Sequence, residues 1–314
     1  MEKRKRKQKI NQISETNELQ SFESYLEMFL QECEIKNLAY HTIRWHKENL
    51  ISVFKALEHL NIPTNELTEE ALKQCVLYWK REKNNSPTTI NHRITSFKKL
   101  VEFLQGAGLI TDFPIKLEKL KAPKTLIQPF SEEDLKKLLA QPDKSTFVGL
   151  RDYTMMLVFL DTGVRLIEVE NMQASNVNLR DSSIIVMGKG SKEREVYFHF
   201  ITKDYLRRYI AVRGDLEHDF LWVNEFSQPL KRRTIGQRLT GYGRGAKLTK
   251  VRVSPHTFRH TCAKQYIKNG GDIISLQKLL GHSTLEMVRH YVNLWGTDLK
   301  KMHQKFSPVE HLYR

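Results

Sequence analysis

The chain has 314 residues, 40% of them hydrophobic, and carries 51 Lys and Arg against 36 Asp and Glu, a formal charge of +15. That length supports about two domains, and no apolar run approaches the roughly 20 residues of a membrane-spanning helix, which argues against a membrane protein. Cys33, Cys75 and Cys262 lie far apart without a Cys-x-x-Cys pair, which argues against a disulfide scaffold or zinc ribbon and fits free thiols in a reducing cytoplasm. The positive surplus favours a polyanionic partner, because each neutralised phosphate releases condensed counterions, although a solvated basic surface gives the same count.

Residues 1–18 open with MEKRKRKQKINQ, a basic stretch with no apolar run behind it and so not a secretory signal. It reads as a disordered arm that either touches phosphates or aids solubility. Residues 19–106 are helical by pattern. Phe22, Tyr25, Leu26, Phe29 and Leu30 form one stripe, and Ile43, Leu50, Val53, Phe54 and Leu57 a second. Thr68-Glu69-Glu70 opens a third helix and Ser86-Pro87-Thr88 a fourth, giving a four-helix domain. The second and fourth helices bear Arg44, Lys47, Arg93 and Lys98, which periodicity alone assigns to a solvated face. Residues 107–129, broken by Gly108, Pro114, Pro123 and Pro129 and carrying Lys116, Lys119, Lys121 and Lys124, read as a flexible basic linker.

A second domain, 130–295, starts at the capped helix Ser131-Glu132-Glu133-Asp134. The apolar run from Leu150 to Leu160 reads as a core helix ending in Asp161-Thr162-Gly163-Val164-Arg165, with Glu168 in the helix that follows. An Arg165–Glu168 surface pair alone is worth only tenths of a kcal/mol. Ser183–Met187 and Arg194–Phe198 are β-rich and flank Gly188-Lys189-Gly190-Ser191-Lys192, a hairpin with two lysines at its tip. Lysines there can also simply protect a sheet edge. Thr202–Arg213 reads as a helix, Phe220–Val223 as a short buried segment, Lys231-Arg232-Arg233-Thr234 as a helix start, and Tyr242–Lys247, with Arg244, as a basic loop.

The stretch from Ser254 to Tyr291 carries the chemistry. Pro255 sits in the first turn of a helix, and His256, Arg259 and His260 share one of its faces. Gly270-Gly271 ends that helix; Asp272 caps the next, whose stripe is Ile273, Leu276, Leu279 and Leu280. Gly281 stops it and presents His282, and a third helix carries Arg289, His290 and Tyr291. A guanidinium grips an oxyanion with two prongs while imidazoles move protons near neutral pH, so the set suits an oxyanion with a proton to transfer.

His-x-x-Arg-His, then Leu-Gly-His, then Tyr, preceded by Thr-Gly-x-Arg-x-x-Glu, resembles the tyrosine recombinase (phage integrase) family, in its Xer-like or transposon-borne form. The resemblance implies a mainly α fold with a small β-hairpin or sheet (α+β), arranged as a two-domain DNA clamp of an N-terminal core-binding domain and a mixed catalytic domain. It implies catalytic roles for Arg165, Lys189, His256, Arg259, His282 and the nucleophile Tyr291, supported by Glu168 and His260. Tyr40-His41-Thr42-Ile43 and Ser86-Pro87-Thr88-Thr89-Ile90 resemble an N-terminal family pattern. This favours DNA phosphate contacts from Arg44, Lys47, Arg93, Lys98 and Lys121, alongside Lys192, Arg232, Arg233 and Arg244.

In such a site two guanidiniums neutralise a phosphodiester increasingly as charge builds in the pentavalent transition state. The Tyr291 phenol attacks, His256 accepts its proton, and Lys189, or Lys192, protonates the departing 5′ oxygen. The covalent 3′-phosphotyrosyl link conserves the bond energy, so neither ATP nor a metal is expected, and no cofactor. The resemblance further implies double-stranded DNA with inverted-repeat core sites, a homotetramer in synapsis, and an accessory DNA-bending protein or second recombinase as further partners. Residues 296–314 would form a tail for subunit exchange. A type IB topoisomerase-like relaxer shares the chemistry, and a non-catalytic DNA-binding accessory protein shares the fold. A zinc hydrolase on His256 and His260 lacks the glutamate of His-Glu-x-x-His, since Thr257 stands there.

Overall fold

The computed structural model describes residues 22–63, 67–110, 115–123, 127–188 and 193–281, with single positions at 284, 303, 307 and 309. The basic arm, Lys189, Lys192, His282, Tyr291 and nearly all of the 296–314 tail lie outside the described residues. The chain divides into two compact units, Met1–Thr125 and Leu126–Arg314.

In the first unit the helices are α1 (Phe22–Ile35), α2 (Tyr40–His59), α3 (Glu69–Arg81) and α4 (Pro87–Gly106). The Thr68 hydroxyl accepts from Ala71 N and that of Ser86 from Thr89 N, so each cap satisfies a donor the helix itself leaves open. Leu50, Val53, Leu57, Trp79, Ile94, Phe97 and Leu100 fill the space between them. Residues 115–120 depart from the free linker expected by sequence. Glu69 accepts the backbone N–H groups of Lys116 and Leu117, and the Asn91 amide bonds both N and O of Leu120, at 2.7 and 2.9 Å. Ile115, Leu117 and Leu120 also pack on this core, so two side chains remote in sequence tie the strap down.

The second unit contains α5 (Glu132–Leu139), α6 (Phe147–Thr162), α7 (Leu166–Glu170), β1 (Val177–Asn178), β2 (Ser183–Met187), β3 (Glu193–Tyr197), α8 (Phe200–Arg213), α9 (Arg232–Gly245), α10 (Pro255–Lys268) and α11 (Ile273–Leu280). The mainly helical character expected from sequence holds. Ser131 and Asp134 form a reciprocal capping box at the start of α5. Helix α6 is apolar almost all round and lies at the centre, with Met155, Met156, Val158 and Phe159 at 2% exposure or less. Helices α8 and α10 pack against it. The sheet is antiparallel in the order β1-β2-β3, and Met187 faces Glu193, so residues 188–192 connect the hairpin.

A second expectation is corrected. Tyr242–Lys247, read from sequence as a basic loop, is helical through Gly245. Tertiary contacts override the low helix propensity of glycine. The Tyr242 hydroxyl donates to the buried Asp152 at 2.8 Å, and Arg238 joins the same carboxylate. Gly243 lies so close to Val253 that a Cβ there would meet Val253 Cγ2 at 2.5 Å. Gly243→Ala is therefore expected to destabilise the second unit by about 1–3 kcal/mol, as overpacking does, read as a lower urea midpoint by circular dichroism.

Candidate active site

Two tight turns bring distant motifs together. Helix α6 ends at Gly163, φ +62°, and α11 ends at Gly281, φ +63°, both in the left-handed region that glycine adopts without strain. They also lack room for a side chain. A Cβ on Gly163 would meet Leu280 Cδ2 at 2.7 Å, and one on Gly281 would meet Arg194 Nε at 3.0 Å.

The carbonyls these turns expose are taken by guanidiniums. Arg259, 5% exposed on α10, donates to Gly163 O and Leu280 O, both at 2.7 Å. Arg165, the residue that caps α7, donates to Gly281 O at 2.9 Å and keeps a third of its side chain exposed. Arg194 on β3 donates to Leu279 O at 3.1 Å. Three consecutive carbonyls at the negative end of α11 thus accept from three arginines, an arrangement that the helix dipole favours. Arg165 and Arg259, 94 positions apart in sequence, are gathered on adjacent peptide groups immediately before His282.

Glu168 holds the assembly from beneath. Its side chain is fully buried; Oε1 accepts from Arg165 at 2.9 Å and Arg194 at 2.6 Å, and Oε2 from the Arg165 backbone N–H at 2.7 Å and Arg194 at 2.8 Å. Four donors fill the acceptor sites of one carboxylate. Burial pushes this carboxyl up, but the bonds and charge of Arg194, with those of Arg165, bring it below the ordinary glutamate value.

His256, exposed in the first turn of α10, lines a cavity of about 570 Å³ with Arg232, Arg233, Arg244 and Arg252. The described lining contains no acidic side chain, and the N-terminal end of α10 opens onto it. His260 is half-buried on α10 beside Arg259. Cys262 is packed against Gly163 and its thiol is pushed up by burial to about 12. In the first unit Arg44 pairs with Glu48 at 2.8 Å, Lys47 and Lys121 are exposed, and Lys98 is half-buried. Arg93 lies over the Trp79 ring at 4.7 Å and bonds Asn85.

Sequence reading missed Arg194 and Arg252. Arg194 occupies an inward position of β3, beside Val196, where alternation calls for an apolar residue. Arg252 stands exposed between the buried Val251 and Val253 just ahead of the helix that carries His256.

The chain matches the phage integrase family over residues 128–295. It belongs to that family. The family's relatives include tyrosine recombinase XerC of Listeria welshimeri, 31% identical over 241 residues, which are 73% of this chain and 78% of that protein. Tyrosine recombinase XerD of Listeria monocytogenes is 29% identical over 235 residues, 73% of this chain and 79% of that one. Among solved structures, the XerH site-specific recombinase bound to a palindromic difH substrate covers 92% of this chain and 85% of its own, with TM-score 0.72 at 19% identity. The Tn1549 transposon integrase in complex with transposon right end DNA covers 90% and 99%, with TM-score 0.71 at 16% identity. At those identities the structural likeness speaks to the fold alone. By family, this is a tyrosine-type site-specific recombinase.

The Glu168 carboxyl, depressed when folded, stabilises the fold fully above the unfolded glutamate value near about 4.3, and that contribution is lost as pH falls through the folded value. Glu168→Gln should lower the urea midpoint at pH 7, with the gap from wild type narrowing below about pH 4.3. Glu168→Ala, which strands two guanidiniums, should cost about 3–5 kcal/mol at neutral pH in the same titration.

Proposed function

We propose that this chain cleaves and rejoins double-stranded DNA at inverted-repeat core sites through a covalent 3′-phosphotyrosyl intermediate on Tyr291, to integrate, excise or resolve a mobile element or replicon. The observation that carries this reading is the pair of guanidiniums, Arg165 and Arg259, hung from the adjacent carbonyls of Gly281 and Leu280 next to His282. A phosphodiester between them has its charge neutralised at two non-bridging oxygens, most strongly as the pentavalent transition state forms. Both arginines have their orientation fixed by the backbone before substrate arrives, so little reorganisation is left for the reaction.

The roles follow from the chemistry. Tyr291 attacks phosphorus, His256 accepts the phenolic proton, His282 adds a hydrogen bond to the phosphoryl oxygens, and Lys189 or Lys192 protonates the 5′ oxygen as it leaves. A 5′ hydroxyl from the second duplex then reverses the step without ATP. The arginines supply the electrostatic stabilisation for which a metal would otherwise serve. Glu168 orients Arg165 and His260 flanks Arg259. The cationic cavity of Arg232, Arg233, Arg244 and Arg252 suits the DNA backbone on one side of the scissile phosphate. The exposed Arg44, Lys47 and Lys121, with Lys98 and Arg93, would serve the N-terminal unit in the same way. The active species in this reading is a homotetramer on two duplexes, with residues 296–314 exchanged between subunits and a DNA-bending protein or second recombinase assisting.

The test uses suicide duplexes, nicked and tiled across the DNA flanking the gene, incubated in EDTA and resolved in SDS. Wild type should give a denaturant-resistant protein–DNA adduct that Tyr291→Phe lacks; Arg259→Ala should form it about 10²–10³-fold more slowly. Tight binding with no adduct on any duplex would instead point to a non-catalytic DNA-binding protein. In a separate titration of affinity against salt, Arg252→Ala should weaken binding to all duplexes alike and reduce the log–log slope by about one.

A further inference from the structure

Strand β3 alternates, with Arg194 and Val196 turned inward and Glu193, Glu195 and Tyr197 exposed. An inward guanidinium in a sheet costs free energy unless its donors are matched. Those of Arg194 are matched by Nη1 and Nη2 on the two oxygens of Glu168, at 2.6 and 2.8 Å, and by Nε on Leu279 O at 3.1 Å. This two-pronged grip plus a third bond uses the planar fork of arginine, which a lysine ammonium cannot reproduce. The ladder pairs Arg194 with Val186 and Glu193 with Met187, so Arg194 lies two residues from the 188–192 connection that carries both lysines. One side chain therefore ties the base of the lysine hairpin to the carboxylate that holds Arg165 and to the turn that precedes His282.

We infer that Arg194 is a positioning residue that sets the lysine hairpin in register with the Arg165 and Arg259 pair during strand cleavage. The inference rests on the recombinase chemistry proposed above. As the bond from the Tyr291 oxygen to phosphorus forms, the P–O5′ bond breaks and O5′ takes a proton from the hairpin lysine. Arg194 touches none of these atoms. The Arg165 bonds to Glu168 and Gly281, and the Arg259 bonds to Gly163 and Leu280, are made to atoms outside Arg194 and are expected to persist when Arg194 is replaced. The step that suffers is protonation of the leaving group.

A sulfur in place of the scissile 5′ oxygen isolates that step, because a thiolate leaves readily without a proton. Single-turnover cleavage is measured for the full-length wild type, Arg194→Ala and Arg194→Lys on the adduct-forming duplex with oxygen or sulfur at that position, with Lys189→Ala and Lys192→Ala as references. Arg194→Ala should be about 10²-fold slower than wild type on oxygen, as an ångström-scale misplacement costs, and should regain the wild-type order of magnitude on sulfur. Arg194→Lys should show the same pattern, since it keeps the charge and loses the fork. An equal deficit on both duplexes would overturn the inference and make Arg194 a support of the arginine clamp or of the fold. Wild-type rates on both would overturn it too. Melting curves check that each variant is folded, and Arg194→Lys carries the comparison if the alanine variant is not. The wild-type oxygen lane reports on the recombinase chemistry itself and the variant ratio on Arg194, so the two readings fail separately.

Discussion

The architecture of the site depends on one buried carboxylate shared by two guanidiniums. Isolated in a protein interior, Glu168 would be driven to protonate, and Arg194 would carry an uncompensated charge. Together with Arg165 they form a group of net charge +1 whose buried part is neutral and whose surplus lies on Arg165, the member with a third of its surface open. The arrangement keeps a cation at the surface of a hydrophobic core without a full desolvation penalty. It also leaves Arg165 few alternative rotamers, since its backbone N–H and its guanidinium both bond Glu168.

The same logic extends to the second arginine by another route. Arg259 is almost wholly buried and is held by the main-chain carbonyls of Gly163 and Leu280. These belong to helix ends whose carbonyls lack intrahelical partners. The site is thus built from what helix termination leaves over: both glycines end their helices, Gly163 leaves room for Leu280 and Cys262, and Gly281 lets the Arg194 guanidinium approach.

Much of this was legible in the sequence, and what was not fails for physical reasons. The caps Thr68, Ser86, Ser131 and Asp272 announce their helices because capping is local. The spacing of Arg165 and Glu168, and of His256, Arg259 and His260, places each group on one element. Contacts across long sequence separations were not legible. Glu69 and Asn91 fasten residues 115–120, and Asp152 and Val253 carry α9 through its four glycines, without any signal in the segments they stabilise. Arg194 escaped notice because its partners are 26 and 85 positions away, although its inward place on a strand could have drawn suspicion.

The three arginines that meet at the end of α11 bind oxygen atoms of the main chain, at Leu279, Leu280 and Gly281. Main-chain oxygens survive any side-chain replacement, so the polar pattern here is indifferent to which apolar residue stands at 279 or 280. Inserting or deleting one residue in α11 would instead rotate its terminal carbonyls by about 100° and misalign all three guanidiniums together. Evolutionary drift through this turn is thus open to substitution and closed to changes in length, and the helix end acts as a ruler that heredity can repaint but not recut.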